Sequence, residues 1–300
     1  MKISLLEPLG VPASTIEELS APFVKAGHSF TYYDAKTTDP DELAARSKDC
    51  DIVIIANNPY PDQVVRATPT LKMLAVAFTG FDHVGLAACR EQKVTLCNAA
   101  GYSNEPVAEL CVGMAIALLR NLVACDKAAR TGGTLAGLMG SELGAKTVGI
   151  VGTGRIGVMT GKLFKAFGCR VLGYSRRRHP EAEAAGIEQV PLETLLAESD
   201  IVSLHTPLND ATRGFFGADK IAAMKPGALF INCARGPIVD NAALAEALNA
   251  GRLAGAAIDV FDMEPPIPAD YPLLSAKNTL LTPHVAFATE ESMLRRANIT

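Results

Sequence analysis

Apolar residues fall in short continuous runs, separated by stretches where they recur every three or four positions. A continuous run reads as a strand buried on both faces, and the helical spacing as a helix laid on a sheet. In the first third the runs predict strands over 3–6, 29–33, 52–56, 74–78 and 94–97. Between them 14–26 predicts a helix with Ser14 as N-cap and Glu17 completing a capping box, and 41–48 predicts another. Residues 104–130 predict one long helix, opened by Asn104-Glu105-Pro106 with proline in its first turn. Val107, Leu110, Cys111, Met114, Ile116, Leu118 and Leu119 make it apolar on nearly every face, so it should be buried on several sides. The glycine-rich 131–146 reads as a loop or arm. Strands are then predicted over 147–151, 169–174, 200–205, 228–232, 254–259 and 279–281. A helix over 241–250 is stopped by Gly251, 273–277 forms at most one turn, and a helix runs from Glu290 to the end. Strand–helix alternation of this kind means parallel sheets covered by helices.

One junction in this pattern carries chemistry. The run Thr147-Val148-Gly149-Ile150-Val151 leads into Gly152-Thr153-Gly154-Arg155-Ile156-Gly157, after which Ile156, Met159, Leu163 and Phe167 keep roughly helical spacing. In a strand–turn–helix unit, the first glycine allows the tight turn and the second lets a pyrophosphate approach the backbone. The third lets helix and strand pack closely, and the helix N-terminus supplies amide donors. A glycine-rich turn with no ligand is the alternative. The next strand ends at Ser175, where a carboxylate would be expected to bind the ribose hydroxyls of NAD, and Arg176, Arg177 and Arg178 follow. Serine beside guanidinium groups suits a 2′-phosphate, so NADP is favoured over NAD, with Arg176 nearest the strand end. A solvated basic loop beside an NAD site is the competing reading.

Composition narrows the classes. Three hundred residues with 49% hydrophobic content suffice for two buried cores. Lys plus Arg is 28 against 32 for Asp plus Glu, so the net charge of -4 provides no basic field for nucleic acid. Seven cysteines form no CxxC and mostly sit in apolar runs, so they read as small buried hydrophobes rather than disulfides or metal ligands. No apolar run is long enough for a membrane span and the N-terminus does not resemble a signal peptide, so a cytoplasmic protein with no membrane partner is expected.

Three downstream segments read together: Met224 to Gly236 (…Ile231-Asn232-Cys233-Ala234-Arg235-Gly236), Ala257 to Pro265 (…Ile258-Asp259-Val260-Phe261-Asp262-Met263-Glu264-Pro265) and Leu281-Thr282-Pro283-His284-Val285-Ala286. With Thr79-Gly80-Phe81-Asp82-His83-Val84 and the segment from Asn98, they make the chain resemble the D-isomer-specific 2-hydroxyacid dehydrogenases over nearly all its length. Each segment puts a polar residue at or just past the C-terminal end of a predicted parallel strand, where ligands bind in open α/β sheets. Arg235 offers a planar fork for the carboxylate and 2-oxo oxygen of a small acid. His284 can give or take the proton at that oxygen near neutral pH. The resemblance implies that Glu264 orients the imidazole and raises its pKa, that Asp259 meets the nicotinamide carboxamide, and that backbone amides around Thr79, Gly80 and Phe81 bind the substrate carboxylate. It further implies that Gly152, Gly154, Arg155, Ile156, Gly157, Ser175, Arg176, Arg177, His205, Thr206, Pro207, Thr212 and Cys233 line the cofactor site, with no metal.

The expected architecture is α/β with two doubly wound parallel-sheet domains. These are a flavodoxin-like substrate domain over 1–98 with 286–300 returning toward it, and a Rossmann domain over 99–285. The expected reaction reduces a glyoxylate-, hydroxypyruvate- or pyruvate-like 2-oxo acid to the (R)-2-hydroxy acid in a homodimer. A cofactor-sensing corepressor and a phosphite dehydrogenase are the alternatives. Glu264, where formate dehydrogenases generally have glutamine, argues against formate. Asn57-Asn58-Pro59, lacking a cation, argues against phosphoglycerate. In relatives the helix from Glu290 usually continues past the position of Thr300, so either a short member or a truncated chain is expected.

Overall fold

The computed structural model describes residues 1–263 and 266–300. Two compact units emerge: Met1–Ser103 with Ala288–Thr300, and Asn104–Phe287. The division falls at the start of the Asn104–Leu119 helix. That helix buries Val107, Cys111, Val112, Met114 and Ala115 in the core of the second unit, which also contains Val148, Ile150, Ile231 and Ala257.

The first unit is a five-stranded parallel sheet made of β1 (Lys2–Leu5), β2 (Ser29–Tyr32), β3 (Ile52–Ile55), β4 (Met73–Val76) and β5 (Thr95–Asn98), in the order β2-β1-β3-β4-β5. This is flavodoxin order, in which the chain reverses direction across the sheet between β1 and β3. The helix Ala13–Lys25 begins one residue earlier than predicted, with Pro12 at its N-cap position and no side-chain cap. Ser14 therefore lies inside the helix, because Pro12 pre-sets the dihedral that starts it. The Glu290–Ile299 helix returns to this unit and is opened by a Thr289–Ser292 capping box.

The second unit is a seven-stranded parallel sheet. Its strands are β6 (Thr147–Val151), β7 (Arg170–Tyr174), β8 (Glu188–Gln189), β9 (Ile201–Leu204), β10 (Leu229–Asn232), β11 (Gly255–Ile258) and β12 (Thr279–Leu281), in the order β12-β11-β10-β9-β6-β7-β8. That is the Rossmann order with one further strand, reversing between β6 and β9. The central strands β9, β10 and β11 are buried at every position, which is why they read as unbroken apolar runs.

The single helix expected over 104–130 is two. Asn104–Leu119 and Leu122–Arg130 meet at 58°, with Asn121 between them in the left-handed region at φ 52°. Asparagine tolerates that conformation, so the apolar pattern continues through a bend it does not record. No residue of Leu122–Arg130 is buried. Cys97, on the edge strand β5, is exposed rather than buried.

Candidate active site

The nucleotide turn follows β6. Gly152 takes φ +104°, and a Cβ there would lie 2.7 Å from the His205 carbonyl, so the position requires glycine. A Cβ on Gly157 would overlap the Gly152 carbonyl, so helix and turn touch backbone to backbone. The Arg155–Ala166 helix has Gly154 at its N-cap with no side-chain cap, leaving its first amides available to a pyrophosphate. The cradle fits a dinucleotide. Arg155 is exposed and Ile156 half-buried.

Across the switch point, His205 follows directly on β9, and its ring lies 2.9 Å from Ser203 Oγ. Desolvation brings its pKa down to about 4, so the imidazole is neutral at physiological pH. Thr206 is half-buried and Pro207 exposed. The buried Thr212 hydroxyl donates to the Pro207 carbonyl at 2.6 Å and accepts from Asn209 N at 2.9 Å, pinning the loop after β9. At the end of β7, Ser175 is half-buried and Arg176 and Arg177 are exposed, while Arg178 is ion-paired with Glu183.

Arg235, Asp259 and His284 follow β10, β11 and β12, adjacent strands at one side of the sheet. Asn232 ends β10 fully buried and folds the next turn on itself, with Oδ1 accepting from Ala234 N at 3.0 Å and Nδ2 donating to the Arg235 carbonyl at 3.1 Å. The half-buried Cys233 sits with its Sγ 3.7 Å from Met114 Sδ, and a hydrogen bond with Cys111, together with burial, pushes its thiol pKa well up. This thiol is a packing group rather than a thiolate.

Asp259 is fully buried. Its Oδ1 accepts from Thr282 Oγ1 at 2.6 Å and Val285 N at 2.8 Å, and its Oδ2 from Ala286 N at 2.9 Å. Its backbone carbonyl accepts from His284 N at 2.8 Å. Burial raises its pKa, while those side-chain and backbone donors and the charge of His284 pull the other way. His284 takes the left-handed conformation at φ 56°, with its ring edge-on to Phe287 at 5.3 Å. An isolated left-handed histidine is uncommon, and here the Asp259 bonds on both sides of it hold the backbone in place. Glu264 lies outside the described residues.

In the first unit, Thr79 and Gly80 are half-buried and Phe81 is 40% exposed. Asn98 Nδ2 donates to the Thr79 carbonyl at 2.7 Å and so aligns the segment after β4. Glu7, fully buried beyond β1, accepts through Oε1 from Ala56 N at 2.6 Å and Asn58 N at 2.8 Å, which fixes the turn after β3. Arg296, also buried, donates to the Leu9 carbonyl at 2.7 Å through Nη2 and fastens the C-terminal helix. No motif or periodicity marks Glu7 or Arg296, because a buried polar residue reveals itself only through its partners.

Fold and site together define a dinucleotide-binding α/β protein with an arginine and a histidine after the two strands that flank β11. The sequence profile of the family described as "D-isomer specific 2-hydroxyacid dehydrogenase, NAD binding domain" matches residues 112–286. A glyoxylate reductase of Thermofilum pendens is 38% identical over 267 residues, covering 86% of this chain and 78% of the relative. A hydroxypyruvate reductase of Blautia hydrogenotrophica is 33% identical over 282 residues, covering 91% and 87%. The solved structure of an acyclic imino acid reductase in complex with NADPH and D-Arg is 26% identical, with a TM-score of 0.88, covering 100% of this chain and 94% of that one. The protein belongs to the D-isomer specific 2-hydroxyacid dehydrogenase family.

Proposed function

We propose that the protein reduces a small 2-oxo acid of the glyoxylate, hydroxypyruvate or pyruvate kind to the (R)-2-hydroxy acid. The observation that carries this reading is the placement of Arg235, Asp259 and His284 at the ends of three adjacent strands, in the unit that holds the nucleotide turn. The nicotinamide cofactor supplies the hydride. The Arg235 guanidinium holds the carboxylate and 2-oxo oxygen and meets the charge that develops on that oxygen. His284 delivers the proton to it. Asp259 holds the loop that presents His284; its carboxylate is fully buried, so the contact with a nicotinamide carboxamide expected from the sequence is not open to it in this conformation. Glu264 orients the imidazole. Steady-state rates with a panel of 2-oxo acids test the reading.

The cofactor we favour is NADP. Arg178 is committed to Glu183, which leaves Arg176 and Arg177 exposed beside Ser175, where a carboxylate would repel a 2′-phosphate. The NADPH complex of the imino acid reductase is consistent with that choice. A homodimer through the second unit is also part of the reading. The Asn104–Leu119 helix spends much of its apolar surface inside its own unit, so support comes instead from the following helix and arm. There Leu122, Val123, Leu135 and Met139 are 49%, 66%, 75% and 86% exposed.

A further inference from the structure

We propose that Asn241, Asp262 and Tyr271 form a hydrogen-bonded clamp that positions Arg235 toward the 2-oxo acid, an inference that rests on the role given to Arg235 above. The turn carrying Arg235 is held at two successive carbonyls. Asn232 Nδ2 donates to the Arg235 carbonyl at 3.1 Å, and Asn241 Nδ2 to the Gly236 carbonyl at 3.3 Å. The same Asn241 amide donates to Asp262 Oδ1 at 2.9 Å and to the Val239 carbonyl at 3.4 Å. The other oxygen of Asp262 accepts from the Tyr271 hydroxyl at 2.8 Å.

Both donors are sheltered, with Asn241 4% and Tyr271 7% exposed, whereas Asp262 stands at the surface as the shared acceptor. Donors kept from water need fixed partners, so the clamp has one preferred geometry. Desolvation, and then the bond to Asp262, raise the Tyr271 pKa, so the phenol stays a donor at any physiological pH. Packing closes the unit. A Cβ on Gly236 would overlap the Phe261 carbonyl, so the turn after Arg235 lies directly on the 261–262 backbone. The Phe261 and Tyr271 rings meet edge-on, 5.7 Å apart at 83°. A shift of Asp262 therefore reaches the Gly236 carbonyl through a single amide, and from there the Cα that aims the guanidinium. These are positioning residues: each acts through Arg235.

Two variants with little steric change probe the clamp. Tyr271→Phe removes one hydroxyl and keeps the ring. Asp262→Asn replaces one acceptor oxygen by an amide that faces a donor. The readouts are kcat/KM for the best 2-oxo acid and Ki for oxamate, which carries the carboxylate and carbonyl but accepts no hydride. NADPH Kd and Tm complete the set. Each variant should lower kcat/KM by about three- to tenfold and raise the oxamate Ki comparably, with NADPH Kd within about twofold of wild type. In an Arg235→Lys background, the further loss from Tyr271→Phe should shrink below about twofold, because the fork being aimed is gone. An undiminished loss in that background, a loss shared equally by NADPH binding, or unchanged kcat/KM in both variants overturns the clamp. Full kcat/KM in Arg235→Lys itself overturns the role of Arg235, and the clamp with it.

Discussion

The hydroxyl of Thr282 donates to Asp259 Oδ1 at 2.6 Å, and this bond ties the end of β11 to the loop that presents His284. With the amides of Val285 and Ala286 also bound to the carboxylate, Asp259 has most of its acceptor capacity invested in the backbone around one histidine. Asp259→Asn turns one of those acceptors into a donor facing a donor. The variant should lose about 10- to 100-fold in kcat, the equivalent of one or two charge-assisted bonds, and Thr282→Val should lose less. Stopped-flow reduction of a 2-oxo acid measures both. A kcat within about twofold of wild type in Asp259→Asn would show that the loop holds itself.

His205 links stability to pH. Its folded pKa of about 4 lies below the ordinary 6.5, so the unfolded chain takes up this proton first as the solution is acidified. The stability held by the neutral imidazole is complete above about pH 6.5 and is lost as pH falls toward about 4. In His205→Gln the decline of Tm between those values should be shallower than in wild type. Parallel Tm curves for the two proteins would contradict the neutral, desolvated state.

Ser175, Arg176 and Arg177 make the cofactor preference testable. Partly exposed charge-assisted contacts to a 2′-phosphate are worth roughly 1.5–3 kcal/mol together, enough for about a ten- to hundredfold preference for NADPH. Ser175→Asp with Arg176→Ala should weaken NADPH and improve NADH, with little change in the KM for the 2-oxo acid. If wild type prefers NADH by tenfold or more in kcat/KM, the arginines are only a solvated loop.

The strands were largely legible because parallel strands covered on both faces are written as unbroken apolar runs, and the ends of β6 and β10 matched their expectation closely. Where burial fades, so does the signal. β8 is two polar residues, Glu188 and Gln189, at a sheet edge, and no apolar run marks it. The bend at Asn121 was invisible because it is a backbone conformation rather than a change of pattern. The site divides the same way. Arg235 and His284 stand in recognisable segments at strand ends, whereas Asn241 opens an ordinary helix and Tyr271 lies in an irregular stretch. Only folding brings those two to Asp262.

The assembly prediction rests on the exposed apolar side chains from Leu122 to Met139. A homodimer should appear as twice the 31.6 kDa chain mass by light scattering at micromolar concentration. Leu135→Glu with Met139→Glu should shift it toward monomer without lowering Tm by more than a few degrees, because neither side chain is packed within its own unit. A wild type that is monomeric at that concentration removes the argument.

The central claim is hydride and proton delivery to a 2-oxo acid with His284 as the acid. Its most direct test is NAD(P)H-dependent reduction of glyoxylate, hydroxypyruvate and pyruvate, with chiral analysis of the product where it is chiral, by wild type and His284→Ala. The account predicts turnover of at least one of these acids, an (R) product, and a loss in His284→Ala of about 2–4 kcal/mol, chiefly in kcat. No turnover of any 2-oxo acid with either cofactor, or near-normal kcat in His284→Ala, would contradict it.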